Sequence, residues 1–441
     1  MNIKTSSLLL GILFLFANRA NAQDSISLKS AIAFALKHRY EFKIATKDAQ
    51  VSAQEIAKIK ARQLPTLTGT FDTRYNGKLA TQVLPGEMFG NTNGIRRNLQ
   101  FGTSYSTMAG LDLDIPIYNP DISADKRIAR LQAEYDWLNI SKSEIEIKND
   151  VTKSYLNLLF NAEQMKLSKA NAENTQSVYT MNKDQYDKGG MSQYDLEKSQ
   201  INYESAQADY NKTVNSYNLA INDLAYRIGS ELEIKFTPTD SLESIYLLLQ
   251  NRLDEMKVNE RVELKQQKVL ISLSEAKIQK EQRAYWPTIS AYGNLTAQNL
   301  NDKFALFNGK YWYPYNYVGI KASIPIFDGF RKQRTKQGYA LERQSAILTQ
   351  DKLIRDQEYE IKSTQTAVLN DLEELNSQKS RLVRTTKLYT IDKVRLQQGS
   401  IKPTDLSASY LTLLQVQNKY LNAVYNYLID IFDYQKAIGA L

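Results

Sequence analysis

The sequence predicts a mainly α-helical chain that also contributes strands to a membrane β-barrel, written as a helix–strand–strand–helix unit in two copies. Three observations predict it. Two stretches of about 67 residues contain no internal proline and read as very long helices. Four segments alternate apolar and polar residues over the length that a tilted membrane strand needs. Three blocks of residues recur in the same order at nearly constant offsets.

The chain opens on a leader, residues 1–22. Lys4 supplies a positive start, Leu8 to Ala17 is an apolar run, and Ala20-Asn21-Ala22 fits a small-x-small cleavage site. The run is too short for a membrane anchor. No cysteine follows it, so no lipid anchor on a cysteine is expected.

The first copy is expected over 23–230. Its opening helix, about 40–63, is stopped by Pro65. Strands follow at about 65–77 and 101–117, separated by a Gly- and Asn-rich loop around Lys78 to Gln100. In the second strand Tyr105, Ala109, Leu111, Leu113 and Ile115 face one way, and Ser104, Ser106, Asp112 and Asp114 the other. A long helix, about 121–188, then meets Gly189-Gly190, the mark of a tight helix hairpin, and a returning helix spans about 192–228.

A connector, 231–258, leads to the second copy, 259–441. Its helix, about 261–285, again ends before a proline, Pro287. Strands at about 287–300 and 312–326 repeat the alternation, with Val318, Ile320 and Ala322 opposing Gly319, Lys321 and Ser323. The second long helix, about 329–398, turns at Gly399, and the last helix spans about 403–438. Its heptad seam runs through Leu406, Tyr410, Leu413, Gln417, Tyr420, Val424, Tyr427 and Ile431. The first-copy counterpart uses Tyr203, Ala206, Tyr210, Tyr217, Ala220 and Leu224. At a common rise, the two shorter helices of each copy together match the long one, so they could stack end to end beside it.

The duplication is readable residue by residue. Arg39-Tyr40-Glu41 recurs as Arg261-Val262-Glu263, and Leu64-Pro65-Thr66 as Trp286-Pro287-Thr288, both 222 positions on. Ile115-Pro116-Ile117-Tyr118 recurs 209 on as Ile324-Pro325-Ile326-Phe327. Gly189, Asp195-Leu196, Tyr217 and Ile228-Gly229 recur 210 on as Gly399, Asp405-Leu406, Tyr427 and Ile438-Gly439.

Aromatic residues crowd the strand ends: Tyr75, Phe101, Tyr118, Tyr311, Trp312, Tyr313, Tyr315 and Phe327. They read as a girdle at a membrane interface or as the rim of a soluble sandwich, and alternation allows both. Four strands cannot close a barrel, and open edges are not tolerated in lipid, so a membrane role demands several chains.

Composition narrows the functions. There is no cysteine, which removes disulfides and thiol chemistry, and the single histidine, His38, sits among charged residues as a surface residue does. The net charge of +8 falls to +6 without Lys4 and Arg19 of the leader, and bases and acids are interleaved rather than clustered, so no nucleic-acid partner is expected. No phosphate loop or metal-ligand cluster is recognisable, and neither a metal, a cofactor nor an enzymatic activity is expected.

Nearly the whole chain resembles the outer-membrane efflux protein family, whose best-known member is TolC. The resemblance rests on the ending Asn422-Ala423-Val424-Tyr425-Asn426-Tyr427-Leu428-Ile429 with Ala437-Ile438-Gly439, on the paired Gly189…Asp195 and Gly399…Asp405 turns, and on Ile324-Pro325-Ile326-Phe327-Asp328-Gly329. It implies a homotrimer with a twelve-stranded barrel in outer-membrane lipid and a periplasmic coiled-coil tunnel. Such a duct passively serves a periplasmic adaptor (a membrane fusion protein) and an inner-membrane pump, an RND or an ABC transporter, in efflux or type I secretion. The hairpin tips, Gly189, Gly190, Met191, Ser192, Gly399, Ser400 and Ile401, would contact the adaptor, and Asp195, Asp405 and Lys402 would form the periplasmic gate. Where the prototype has a second ring aspartate this chain has Ala408, and where it has a linking arginine this chain has Ile401 beside Lys402. Both aspartates also read as helix N-capping acids, which need no gate. Asp112, Asp114 and Lys321 would line the barrel lumen. The rival reading is a periplasmic coiled-coil scaffold or adaptor without a barrel, which predicts one helical hairpin between split β halves rather than a duplicated unit.

Overall fold

The computed structural model describes residues 25–85, 88, 90, 96–230, 236–249 and 257–441. The leader and its cleavage site lie outside the described residues, as do parts of the first-copy loop and of the connector. In chain order the elements are β1 (Ser25–Ile26), α1 (Leu28–His38), α2 (Tyr40–Ala61), β2 (Thr66–Tyr75), β3 (Thr81–Pro85), β4 (Arg96–Gln100), β5 (Tyr105–Tyr118), α3 (Pro120–Asp187) and α4 (Gln193–Ile228). Then come β6 (Thr237–Pro238), α5 (Leu242–Leu249), α6 (Val262–Arg283), β7 (Thr288–Asn301), β8 (Trp312–Ser323), α7 (Arg331–Gln397) and α8 (Pro403–Ala437). This is the fold class read from the sequence, with 68 residues in α3 and 67 in α7.

Two compact units share the chain. One holds the residues up to Asp48, Asp136–Gln267 and Thr349–Leu441. Its core joins residues of both copies, with Tyr155, Leu156, Leu224, Tyr246, Leu375, Tyr427, Leu428 and Ile431 fully buried. The seam positions Leu413, Val424, Tyr427 and Ile431 of α8, and Ala206, Ala220 and Leu224 of α4, are all buried. Tyrosine beside alanine lets helices approach closely while the larger rings fill the space between them.

In the same unit, Tyr155 Oη lies 2.9 Å from both Ile26 O and Asp240 Oδ2, and Leu28 N donates to Asp240 Oδ2 at 2.8 Å. Strand β1 pairs in parallel with β6 beside this knot, so the start of the described chain is tied to the connector. Burial and hydrogen bonding to Asp240 push the Tyr155 phenol far above its usual range. His38 stacks on Phe34 at 3.9 Å and its Nδ1 lies 2.9 Å from Phe34 O, a local cap of the last turn of α1.

The other unit holds Ala49–Tyr135 and Lys268–Leu348. Its centre is an antiparallel four-stranded sheet in the order β2-β5-β7-β8, in which β5 of the first copy pairs with β7 of the second. Within the first-copy loop, β3 and β4 form a separate two-stranded ribbon. The sequence suggests only a loop there, because Thr-Gln-Val-Leu-Pro and Arg-Arg-Asn-Leu-Gln are short and do not alternate.

Candidate functional site

The register of the sheet sorts its side chains into two faces. Thr68, Asp112, Asn294 and Tyr317 lie in one row across the four strands, and Thr66, Asp114, Tyr292 and Gly319 in the next. Lys321 pairs with Ser290 on the same face. Asp112, Asp114 and Lys321 therefore share one polar face, together with Asp72 and Arg74, which form an ion pair at 2.5 Å. Asn294 Nδ2 donates to Asp112 Oδ1 at 2.7 Å, and Thr70 Oγ1 to Asp112 Oδ2 at 3.4 Å.

The opposite face carries an apolar band, Leu67 and Phe71, Leu111 and Leu113, Ala291 and Leu295, Val318 and Ile320, bounded at one end by a polar row of Thr73, Thr107 and Asn299, of which Thr107 and Asn299 are buried and Asn299 donates to Ala305 O. The band itself has no layer packed on it among the described residues. Val318 is 90% and Ile320 74% exposed, and Leu67, Phe71, Leu111 and Leu295 are exposed with them. A contiguous apolar face of this kind on a soluble chain would be a liability, whereas for a lipid-facing wall it is a requirement.

Not every aromatic residue belongs to a girdle on that face. Tyr313 and Tyr315 have the parity of Lys321, so they stand on the polar side with Tyr317 and Tyr292. Tyr292 and Tyr317 meet edge to face at 6.0 Å, and a Cβ at Gly319 would strike the Tyr292 ring at 2.7 Å. Tyr75, Tyr105 and Trp312 remain on the apolar side, at one end of it. The outer edges of β2 and β8 carry no partner strand among the described residues.

The two hairpin tips repeat one backbone design. After α3, Gly189 sits at φ 77°, its N–H donating to Tyr186 O at 2.8 Å while Gly190 N donates to Gln185 O at 2.8 Å. After α7, Gly399 sits at φ 70°, with Gly399 N to Leu396 O and Ser400 N to Arg395 O, both 2.9 Å. These paired bonds satisfy the last carbonyls of each helix and require the left-handed residue that glycine supplies. Ser192 then caps α4, accepting from Asp195 N at 3.2 Å and donating to Asp195 Oδ2 at 2.7 Å. In the second tip Pro403 opens α8, and Lys402 N donates to Asp405 Oδ2 at 3.1 Å. Asp195 and Asp405 thus both act as capping acids in the first turn, and both stay exposed. Met191 and Ile401 are half-buried within the tips, and Lys402 is exposed.

The outer membrane efflux protein family model matches residues 31–230 and 255–440. The chain belongs to that family. Each matched stretch holds one helix–strand–strand–helix copy. Among solved structures, CusC superposes with a TM-score of 0.71 at 17% identity, covering 93% of this chain and 91% of that one. The Campylobacter jejuni CmeC outer membrane channel gives 0.70 at 17%, covering 94% and 85%. The Neisseria gonorrhoeae MtrE outer membrane channel, in its open state, gives 0.71 at 16%, covering 93% and 88%. At these identities the likeness is one of fold. No curated protein matches the chain in sequence.

This outer membrane efflux protein also carries buried charge that sequence reasoning did not single out. Arg39 contacts Glu41 at 2.9 Å and Asp150 at 3.4 Å, and Arg261 contacts Glu263 at 3.3 Å and Glu360 at 2.5 Å. The hydrogen bond from Arg39 holds the Glu41 carboxyl below its usual range. Elsewhere in the same unit, burial and the neighbouring Asp371 and Asp433 push Asp430 up to about 6. Asp433 is itself paired with Lys153 at 2.6 Å. Ionisable residues at helical spacing look like solvated faces in a sequence, and only the packing of α3, α7 and α8 brings these together. No group of acids or histidine able to hold a metal ion occurs among the described residues.

Proposed function

We propose that the protein is the outer-membrane exit duct of a tripartite efflux or type I secretion system, working as a homotrimer. The carrying observation is a four-stranded sheet with a bare apolar face, a polar opposite face and two open edges. In lipid each edge must find a partner strand, and four strands are too few to close on themselves. Three copies supply twelve, the number that resemblance to TolC implies.

On this reading residues 23–230 and 259–441 are two wall segments joined by the 231–258 connector, and residues 1–22 direct export. Asp112, Asp114 and Lys321 face the lumen, and Val318 and Ile320 face the acyl chains. The long helices form a periplasmic conduit whose tips, Gly189 to Ser192 and Gly399 to Ile401, receive a membrane fusion protein. Asp195, Asp405 and Lys402 stand where a gate would close. Each aspartate commits one carboxylate oxygen to its cap, which leaves the other oxygen for a partner across the tip. Conduction is passive, and an RND or ABC pump supplies the energy.

Reconstitution tests this directly. The purified mature chain in planar bilayers is expected to give discrete conductance steps and a detergent-corrected mass of three chains. A monomer that leaves the bilayer silent would remove the proposal.

A further inference from the structure

The polar face of the sheet carries a row of aromatic rings as well as its ions. Tyr313, Tyr315 and Tyr317 alternate along β8, so all three stand on that face with their Cα atoms roughly 6.8 Å apart. They are 54%, 42% and 50% exposed, open enough for a ligand to reach the rings. Gly319 comes next in the same parity, where the row would stop for want of a side chain. A Cβ there would meet Cζ and Oη of Tyr292 at 2.7 Å, so the phenol of Tyr292 leans from β7 into the place that a side chain would take. Its ring meets that of Tyr317 edge to face at 6.0 Å. Four rings thus follow one another along the edge strand, with Lys321 after them.

None of the four hydroxyls is hydrogen-bonded among the described residues. Tyrosines in the helical unit are treated differently: Tyr155 Oη donates to Asp240 Oδ2 and Tyr420 Oη to Glu243 Oε2, both at 2.9 Å. A tyrosine that packs usually finds a partner for its hydroxyl, whereas these keep a flat apolar ring and a polar tip both open. Rings with hydrogen-bonding tips suit a ligand that has flat apolar faces and polar edges.

What flanks the row selects among such ligands. Asp114 lies in the cross-strand row of Tyr292 and Gly319, and Lys321 follows Gly319 in the same parity along β8. Both are exposed and in no ion pair or hydrogen bond among the described residues. Asp112 is held by Asn294 and Thr70, and Gln298 and Ser290 add neutral polar groups of the same parity. An organic cation on the rings would gain Asp114 but meet Lys321, and an anion would face the reverse. A neutral chain of hydroxyls conflicts with neither, since carboxylates accept from it and ammonium groups donate to it. Sugar rings supply those hydroxyls at their edges and C–H groups on their faces.

We infer that this face binds neutral oligosaccharides, with successive sugar rings on Tyr313, Tyr315, Tyr317 and Tyr292 and their hydroxyls turned to the polar side chains alongside. The inference rests on the duct reading above and names a substrate class for it.

The test places the full mature chain in planar bilayers and adds maltohexaose or cellohexaose while single-channel current is recorded, so that each bound sugar appears as a brief interruption. At least one of the two sugars is expected to bind roughly threefold or more tightly than polyethylene glycol of the same mass. Tyr315→Ala and Tyr317→Ala should each weaken that binding about threefold to tenfold, and Tyr315→Phe by less, because the ring is kept. Gly319→Ala, which pushes Tyr292 aside, should weaken it about threefold. The two alanine variants of exposed tyrosines keep the inference testable if the glycine variant does not assemble. Interruption no stronger than by polyethylene glycol, stronger interruption by tetraphenylphosphonium than by either sugar, or tyrosine variants that bind as wild type would each overturn the inference, while the conductance steps uphold the duct reading. A bilayer that stays silent would overturn the duct reading and this site with it.

Discussion

Arg261 donates to Glu360 at 2.5 Å, and Arg39 meets Asp150 at 3.4 Å from the equivalent place in the other copy. Each arginine also holds the glutamate two residues ahead of it, Glu263 or Glu41. The arginines are 222 positions apart and the distant acids 210, two of the three offsets that the repeated blocks show. The duplication therefore persists as a repeated ion group. Both arginine side chains are well covered, at 13% and 17% exposed, which makes the loss of either costly.

Arg261→Ala is accordingly expected to destabilise the helical unit by about 2 kcal/mol, because it strands Glu263 and Glu360. Adding Glu360→Ala should cost less than the sum of the two single changes, with a coupling of about 1 kcal/mol. Chemical unfolding followed by circular dichroism in detergent measures both. Additive losses would show the pair to be ornamental.

At the tips, Gly399→Ala meets open space but keeps a left-handed backbone, so strain alone should cost about 1 kcal/mol. Gly399→Pro cannot reach that φ and removes the N–H that donates to Leu396 O. It is expected to open the α7–α8 turn to protease between Gln397 and Pro403 and to abolish export, with the barrel retained. Wild-type drug resistance and adaptor crosslinking in the proline variant would contradict the assignment of the tips.

The two faces of the sheet should respond oppositely to charge. Val318→Lys places an ammonium on the apolar face and is expected to weaken assembly in the membrane by about 2–4 kcal/mol. Lys321→Gln, three residues along on the polar face, should leave assembly unchanged and alter only ion selectivity. The yield of unheated oligomer and single-channel reversal potentials separate the two effects.

These variants also mark how far the sequence could be read. Period-two alternation was enough to place Asp112, Asp114 and Lys321 on one face, since register keeps parity across strands. Position near a strand end alone groups Tyr313 and Tyr315 with the girdle, whereas their parity with Lys321 puts them on the polar face. Gly189-Gly190 and Gly399, each closing a long run without an internal proline, mark both hairpins. What the sequence could not give was non-local: the pairing of Arg39 with Asp150 and of Arg261 with Glu360, and the Asp430 cluster. Each depends on which helices or strands pack together, and nothing in local spacing encodes that. The β3–β4 ribbon was missed for a different reason, as it lacks both alternation and length.

The acidic cluster makes a pH prediction. Asp430 has its folded value raised to about 6 by burial and by Asp371 and Asp433, above its ordinary 3.8. The folded state therefore binds a proton more tightly than the unfolded state. The stability that this proton confers is complete below about pH 4 and is lost as pH rises through 6. Asp430→Asn should remove that fall, gaining about 1 kcal/mol at pH 7 relative to wild type after solvent screening is allowed for. Thermal melts between pH 4 and 7 decide it. Parallel pH profiles for the two proteins would mean that the proton is not held there.

Pooling of sheets from several chains in the outer membrane is visible when cell membranes are fractionated and the outer-membrane fraction is run on an unheated gel. A band at three times the chain mass that collapses to the monomer on boiling is expected, and Val318→Lys should diminish it while Lys321→Gln does not. A chain recovered as a soluble monomer, with no heat-modifiable form in the outer membrane, would contradict it.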